Sequence, residues 1–218
     1  SQVQVRVTHS GICGTDYKIY SGAIPVRYPR IMGHEMIGEV VEAHGSDLRA
    51  GERVIIDPEL YCGACFHCRI GQTHLCPNGQ LLGRDSNGGF AEFLTAPVSQ
   101  VFRLPDSVND QEAVLIQVLT TCLHAQRLTP IFAGESVAVL GLGVTGQLHA
   151  QIAKARGAGP LIGITRSADK RELAEKLGAD VTIPGGPEAI KKVRDLTEGR
   201  GVDVVIDTTG ILPVIAEG

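Results

Sequence analysis

Apolar and polar residues alternate along Val3-Gln4-Val5-Arg6-Val7, the period-two pattern of a half-buried strand. Further short apolar runs follow at Ile37 to Val41, Gly51 to Ile56, Gly88 to Leu94 and Val101 to Leu104, with Pro97 and Pro105 among their boundaries. Many short strands joined by glycine and proline turns predict a small β-rich domain ending between Pro105 and Asp110. From Gln111 to Leu128 the period changes, because Val114, Leu115, Val118, Leu119 and Cys122 recur at helical spacing. Beyond this segment, strand and helix patterns alternate. An apolar run over Val137 to Leu140 leads into a helical pattern, Leu161 to Ile164 forms a second run, and a helix from Ala168 to Leu177 stops at Gly178. Val181 to Ile183 is a short strand, Val202 to Asp207 closes a later unit, and another helix begins at Ile211. Alternation of this kind predicts four strands of a doubly wound parallel sheet in an α/β protein.

The turn after the first of these runs reads Gly141-x-Gly143-x-x-Gly146. In a strand-turn-helix setting the first glycine permits the tight turn, the second lets a pyrophosphate approach the backbone, and the third lets the helix lie close to the strand. The amides at the helix start, Val144 among them, then face the anion. A nucleotide-binding fold is therefore expected.

Composition narrows the classes. A chain of 218 residues with 43% hydrophobic content has room for one large or two modest domains. Its net charge of -4, with no basic run, argues against nucleic acid as a partner. The absence of an 18-residue apolar span or a signal-like start argues for a soluble, cytoplasmic protein without a membrane partner. The chain starts without Met inside a strand pattern and stops as a helix begins, so truncation at both ends is expected.

Four of the six cysteines fall in one loop, Cys62-x2-Cys65-x2-Cys68-x7-Cys76. Close thiolate spacing supplies the closed tetrahedron of a structural zinc without a core beneath it. His67 and His74 lie in the same loop and are read as solvated, the tetrahedron being filled. A nucleic-acid finger would need a basic helix that the sequence lacks. Spacing alone does not join Cys13 to His34.

Taken in order, Gly11-Ile12-Cys13-Gly14-Thr15-Asp16, Gly33-His34-Glu35, the four-cysteine loop, Gly88-Gly89-Phe90-Ala91-Glu92 and the glycine turn resemble the zinc-dependent medium-chain alcohol dehydrogenase family. The wording Cys-Gly-Thr-Asp is nearer its polyol and threonine dehydrogenase branch. The resemblance spans essentially the whole chain. It implies a GroES-like zinc-binding catalytic domain over residues 1–110 and an incomplete Rossmann domain over residues 111–218. It implies a catalytic zinc on Cys13 and His34 with Glu35 beside it, open to the oxygen of a small alcohol or carbonyl substrate. Thr15 matches the hydroxyl that takes the alcohol proton, and Thr121 a position beside the nicotinamide, to which hydride passes. The intact protein is expected to form a homo-oligomer.

Three positions depart from the family pattern. The third zinc ligand, usually Cys or Glu, falls at Gln117, on one helix face with Thr121. A neutral ligand leaves the zinc site with a net positive charge, and entry of Glu35 into the ligand set would restore the anion. Lys18 stands where many relatives place a proton-relay histidine, and an ordinary lysine titrates too high for that work. After the second strand of the sheet, Thr165-Arg166 replaces the acidic residue that binds the ribose hydroxyls of NAD. Arginine there, with Lys170 nearby, suits the 2′-phosphate of NADP. The expected function is thus a zinc-dependent alcohol or polyol dehydrogenase using NADP rather than NAD. The alternatives are an enone or quinone reductase of the same superfamily and a non-catalytic, zinc-stabilised nucleotide-binding protein.

Overall fold

The computed structural model of the chain describes residues 1–216. Positions 217–218, the last two of the expected second domain, lie outside them. The chain divides into two compact units between Gln117 and Val118.

In the first unit, β1 (Gln2–Gly11) is followed by helix α1 (Gly14–Tyr20), β2 (Glu35–Ala43) and β3 (Arg53–Ile56). The loop beyond holds β4 (Glu59–Leu60), a single helical turn α2 (Phe66–Arg69) and β5 (Gln80–Leu81), which pairs with β4. Then come β6 (Phe93–Pro97), β7 (Val101–Arg103), α3 (Asp110–Ala113) and α4 (Ile116–Leu128), in whose first turn the division between units falls. The main sheet is antiparallel with strand order β6-β1-β2-β3-β7. The alternation of β1 places Val3 and Val5 in a core with Met36, Val40, Val54 and Ile56, while Gln4 and Arg6 face solvent. A register irregularity between Val7 and His9 re-aims the end of β1, so that Gly11 pairs with Glu35.

Two sequence expectations change here. The stretch from Gly88 is not strand until Phe93, because the amides of Gly88, Gly89 and Phe90 donate to the carbonyls of Ile31, Gly33 and Met32 at 2.8–2.9 Å. These bonds brace the segment that presents His34. The helical pattern over Gln111 to Leu128 is two helices. Asn109 caps α3, its Oδ1 accepting from the Glu112 amide at 2.9 Å while the Glu112 carboxylate accepts from the Asn109 amide at 3.4 Å. Helix α1 had no apolar period to announce it, and only Asp16 and Ile19 of its residues are buried.

The second unit alternates as expected: β8 (Val137–Leu140), α5 (Val144–Ala155), β9 (Leu161–Ile164), α6 (Ala168–Lys176), β10 (Val181–Ile183), α7 (Ala189–Leu196), β11 (Val204–Asp207) and α8 (Leu212–Ile215). All four strands are parallel, in the order β10-β9-β8-β11. Every residue of β8 and β9 is buried, which is why both read as continuous apolar runs. Val137, Val139 and Leu161 pack with Ala150, Ala153 and Ala174 on one face; Ala138, Leu140, Ile162 and Ile164 pack with Ala189 on the other.

A buried polar contact joins α4 to α5. The Gln126 amide nitrogen lies 3.1 Å from His149 Nδ1 and donates to the His149 carbonyl at 3.0 Å, while Arg156 donates to the Gln126 carbonyl at 2.7 Å. This sets Nδ1 as an acceptor and leaves the ring proton on Nε2. Burial holds His149 below its ordinary value of 6.5. Because the unfolded chain then binds the proton first, stability is expected to fall as pH drops below about 6.5 and to level off below the folded value. Denaturant titrations across that window should show this slope, and His149→Gln should flatten it.

Candidate metal centres and a nucleotide crevice

The four-cysteine loop is shaped by its own backbone. Cys65 caps α2, its Sγ accepting from the Cys68 amide at 3.5 Å, and Cys76 Sγ accepts from the Cys62 amide at 3.4 Å. All four thiols are free, and the Sγ atoms converge: Cys65 to Cys68 is 3.4 Å, Cys65 to Cys76 is 3.9 Å and Cys62 to Cys68 is 4.0 Å. Thiolates about 2.3 Å from a tetrahedral zinc stand about 3.8 Å apart, so the quartet fits that ion and is far too open for a disulfide. The amides of Ala64 and Cys65 push the Cys62 thiol down to about 6, whereas loss of water and the neighbouring sulfurs push Cys68 up to about 12. Four thiols this close cannot all ionise without a cation between them. His67 is half-buried with its ring edge-on to Phe66, a correction to its reading as solvated, and His74 is exposed.

The second cluster is assembled from segments far apart in sequence. Cys13 sits at the N-cap of α1, while His34 and Glu35 lie at the entry to β2. One ligand atom from each of the three falls within 4.8 Å of the others. A zinc ion with bonds of about 2.0–2.3 Å needs its ligands roughly 3.3–3.8 Å apart, which this sulfur, nitrogen and oxygen set accommodates with a fourth position open. Close approach is built into the pairing of β1 and β2, because a Cβ on Gly11 would lie 2.1 Å from Glu35 Oε2. Thr15 Oγ1 is 3.6 Å from Cys13 Sγ.

Asp16, quoted in the sequence motif but given no role there, organises this cluster. One carboxylate oxygen accepts from the Cys13 amide at 2.9 Å; the other accepts from the Gly33 amide at 3.1 Å and lies 3.5 Å from His34 Nδ1. Asp16, His34 and Glu35 are all buried, and His34 Nδ1 has no closer partner. The signal was present in the sequence as an acid three residues after the cap position of a short helix. A hydrogen bond with His34 holds the Cys13 thiol below its usual value against the effect of burial. The same bond raises His34, and burial raises Glu35. Gln117 is half-buried in the first turn of α4, and Lys18 is exposed on α1.

In the second unit, β8 ends at Gly141, whose φ of +84° suits a residue without a side chain. The Gly141 amide donates to the Ile164 carbonyl at 2.8 Å, and a Cβ on Gly146 would lie 1.9 Å from the Gly141 oxygen, so helix α5 can lie against the turn only with glycine there. Gly143 caps α5, and Val144 begins it; both are exposed. A cavity of about 540 Å³ opens beside this turn, lined at the strand ends by Gly141, Thr165, Arg166, Gly185 and Thr209. Among the described residues, no carboxylate lines it. Arg171 donates to the carbonyls of Thr165 and Arg166 at 2.8 and 3.0 Å, holding their loop, while Arg166 itself makes no ion pair among the described residues. Lys170 is exposed on α6 and is not part of the lining. Thr121 is exposed, and its hydroxyl donates to the Val118 carbonyl at 2.7 Å.

Comparison with known proteins gives a consistent result. The family model described as the alcohol dehydrogenase GroES-like domain matches residues 1–106, and the one described as zinc-binding dehydrogenase matches residues 144–217. The L-threonine 3-dehydrogenase of Pyrococcus abyssi is 37% identical over 224 residues, covering 100% of this chain and 64% of its own length. The sorbitol dehydrogenase of Halalkalibacterium halodurans is 35% identical over 222 residues, covering 100% of this chain and 65% of its own. Among solved structures, a Sinorhizobium meliloti protein assigned as a zinc-binding dehydrogenase and bound to NADP superposes with a TM-score of 0.90 at 38% identity, over 98% of this chain and 64% of that one. The chain thus spans less than two thirds of the length of these relatives. Among the described residues, no helix is long and apolar enough to cross a membrane.

Elemental analysis of the purified chain is expected to return about two zinc ions. Replacing Cys65 and Cys68 together by serine should remove one and lower the unfolding midpoint, because metal binding at such a lobe is folding free energy. Glu35→Gln should release the other zinc while the lobe keeps its own; undiminished zinc in that variant would remove Glu35 from the ligand set.

Proposed function

The chain belongs to the zinc-dependent medium-chain alcohol dehydrogenase family, and from that premise we propose that it transfers hydride between an alcohol or polyol and a nicotinamide cofactor, with NADP preferred. The observation that carries the reading is the convergence of Cys13, His34 and Glu35 on one buried point within the first unit.

A zinc ion held there supplies Lewis acidity, making the proton of an alcohol easier to remove. The donor set suits it in charge: the Cys13 thiolate and the Glu35 carboxylate together balance a divalent ion, and neutral Gln117 is not required to. Asp16 stands 3.5 Å behind His34 Nδ1, where its carboxylate favours a proton on that nitrogen and would leave Nε2 for the metal, as a carboxylate behind a ligating histidine does. Thr15, beside Cys13 Sγ, is the group placed to accept the alcohol proton and pass it to water. With exposed Lys18 in place of a relay histidine, water is the next carrier.

The cofactor, when bound, supplies the hydride acceptor. The amides at the start of α5 would hold its pyrophosphate, and Arg166 with Thr165, at the rim of the crevice, would meet the adenosine ribose. An arginine with no carboxylate partner among the described residues, in a lining where they supply no acid, favours a 2′-phosphate and leaves the ribose hydroxyls of NAD without their usual acceptor. The NADP bound to the Sinorhizobium meliloti relative supports this reading. The four-cysteine loop and the Cys13-His34 pair weigh against an enone or quinone reductase, whose relatives generally lack both.

Oxidation of a panel of alcohols and polyols, followed by NADPH absorbance, should show turnover that chelation abolishes and zinc restores. Arg166→Asp should weaken NADPH binding by at least about tenfold, the loss of one charged contact to phosphate, and improve NADH binding. Equal effects on the two cofactors would overturn the assignment of Arg166.

A further inference from the structure

The glycine turn at the end of β8 is held from two sides. On the β9 side, the Gly141 amide donates to the Ile164 carbonyl at 2.8 Å. On the β11 side, the Thr208 hydroxyl lies within donating distance of two carbonyls, those of Gly141 at 2.9 Å and Leu140 at 3.1 Å, and the Thr208 amide donates to the Leu140 carbonyl at 2.9 Å. The hydroxyl is thus set where the turn is most crowded, 3.1 Å from the point at which a Gly146 Cβ would stand.

Thr208 is aimed there by a loop with its own bracing. Asp207, the last residue of β11, accepts from the Thr209 amide at 3.2 Å and hydroxyl at 2.7 Å through one carboxylate oxygen, and from the Gly210 amide at 3.0 Å through the other. Thr209 then packs on the turn from beside Thr208, its methyl 2.8 Å from where a Gly141 Cβ would be. In a trans peptide the carbonyl of Gly141 and the amide of Leu142 point in opposite directions. Holding the Gly141 oxygen toward β11 therefore sets the orientation of the peptide that leads into Gly143 and the amides of α5.

We infer that Thr208 is a positioning residue for the pyrophosphate of the dinucleotide: its hydroxyl clamps the Gly141 carbonyl so that the amides after the turn are presented to the anion in one fixed orientation. The inference rests on the cofactor reading of this crevice. Asp207 and Thr209 support it by fixing the loop from which Thr208 reaches. Thr208 is not among the residues that line the crevice, so its effect is expected only for ligands that use the turn.

Thr208→Val keeps the shape and removes the hydroxyl; Thr208→Ser restores it. Binding of NADPH, ADP and adenosine 2′-monophosphate to the full chain, measured by calorimetry, separates a positioning role from general loosening. Expected for Thr208→Val is a loss of about five- to tenfold for NADPH and ADP, the worth of one hydrogen bond, with adenosine 2′-monophosphate unchanged and Thr208→Ser close to the unsubstituted chain. Amide exchange at Leu142, Gly143 and Val144 should also quicken without ligand, and Thr208→Ala should behave as Thr208→Val does. Unchanged NADPH binding in both variants, or equal weakening of all three ligands, would overturn the inference while leaving the cofactor reading intact. Failure of the unsubstituted chain to bind any dinucleotide would remove both.

Discussion

Several acidic groups share one buried pocket at the junction of β1, α1 and β2: the Cys13 thiol, the Asp16 carboxylate and the Glu35 carboxylate, with His34 between them. Buried anions are tolerated only when hydrogen-bonded or neutralised. Asp16 meets that condition by accepting two backbone amides, and in doing so it fixes the positions of Cys13 and of the segment before His34. Cys13 has a hydrogen bond with His34, whereas burial raises the Glu35 carboxyl above its ordinary range. A divalent cation held there would complete the balance, which makes the proposed catalytic centre and the local fold a single problem. The register irregularity in β1, the missing side chain at Gly11 and the hydrogen bonds of Gly88 to Phe90 with the segment before His34 all serve to place these groups.

The cysteine lobe solves the same electrostatic problem by a shorter route. Its ligands come from 15 consecutive positions, 62 to 76, and need almost no core. Its geometry is set by cap and turn hydrogen bonds to sulfur, and a metal bound there would replace the protons that four crowded thiols otherwise retain. The proposed catalytic cluster, in contrast, depends on a paired sheet.

In the second unit the governing constraint is close backbone approach. The strand β8 is covered on both faces, the turn at Gly141 has no space for side chains, and α5 starts directly above it. In the proposed reading, charge at the strand ends then distinguishes one nucleotide from another. Two departures from the family pattern change local charge, by one unit where Gln117 stands for an anionic ligand and by two where Arg166 stands for the acid; in the proposed reading Glu35 offsets the first, and the second faces a lining that holds no acid among the described residues.

The cysteine quartet, the glycine turn and the parallel strands were legible in the residues because each depends on neighbours close along the chain. Thiolate spacing, a glycine needed for φ or close approach, and continuous apolar runs are local signals. The family resemblance added Cys13 with His34, which spacing could not join. Helix α1 and the breaking of the segment from Gln111 to Leu128 were not legible, since a short helix held by a cap and a carboxylate leaves little periodicity. What only the tertiary structure decided is which polar groups meet: Asp16 behind His34, Glu35 over Gly11, and Thr208 on the Gly141 carbonyl. The last pair lies 67 residues apart in sequence. Contacts of that kind are fixed by strand register and by the packing of elements remote in the chain, and pattern along a single segment carries no record of them.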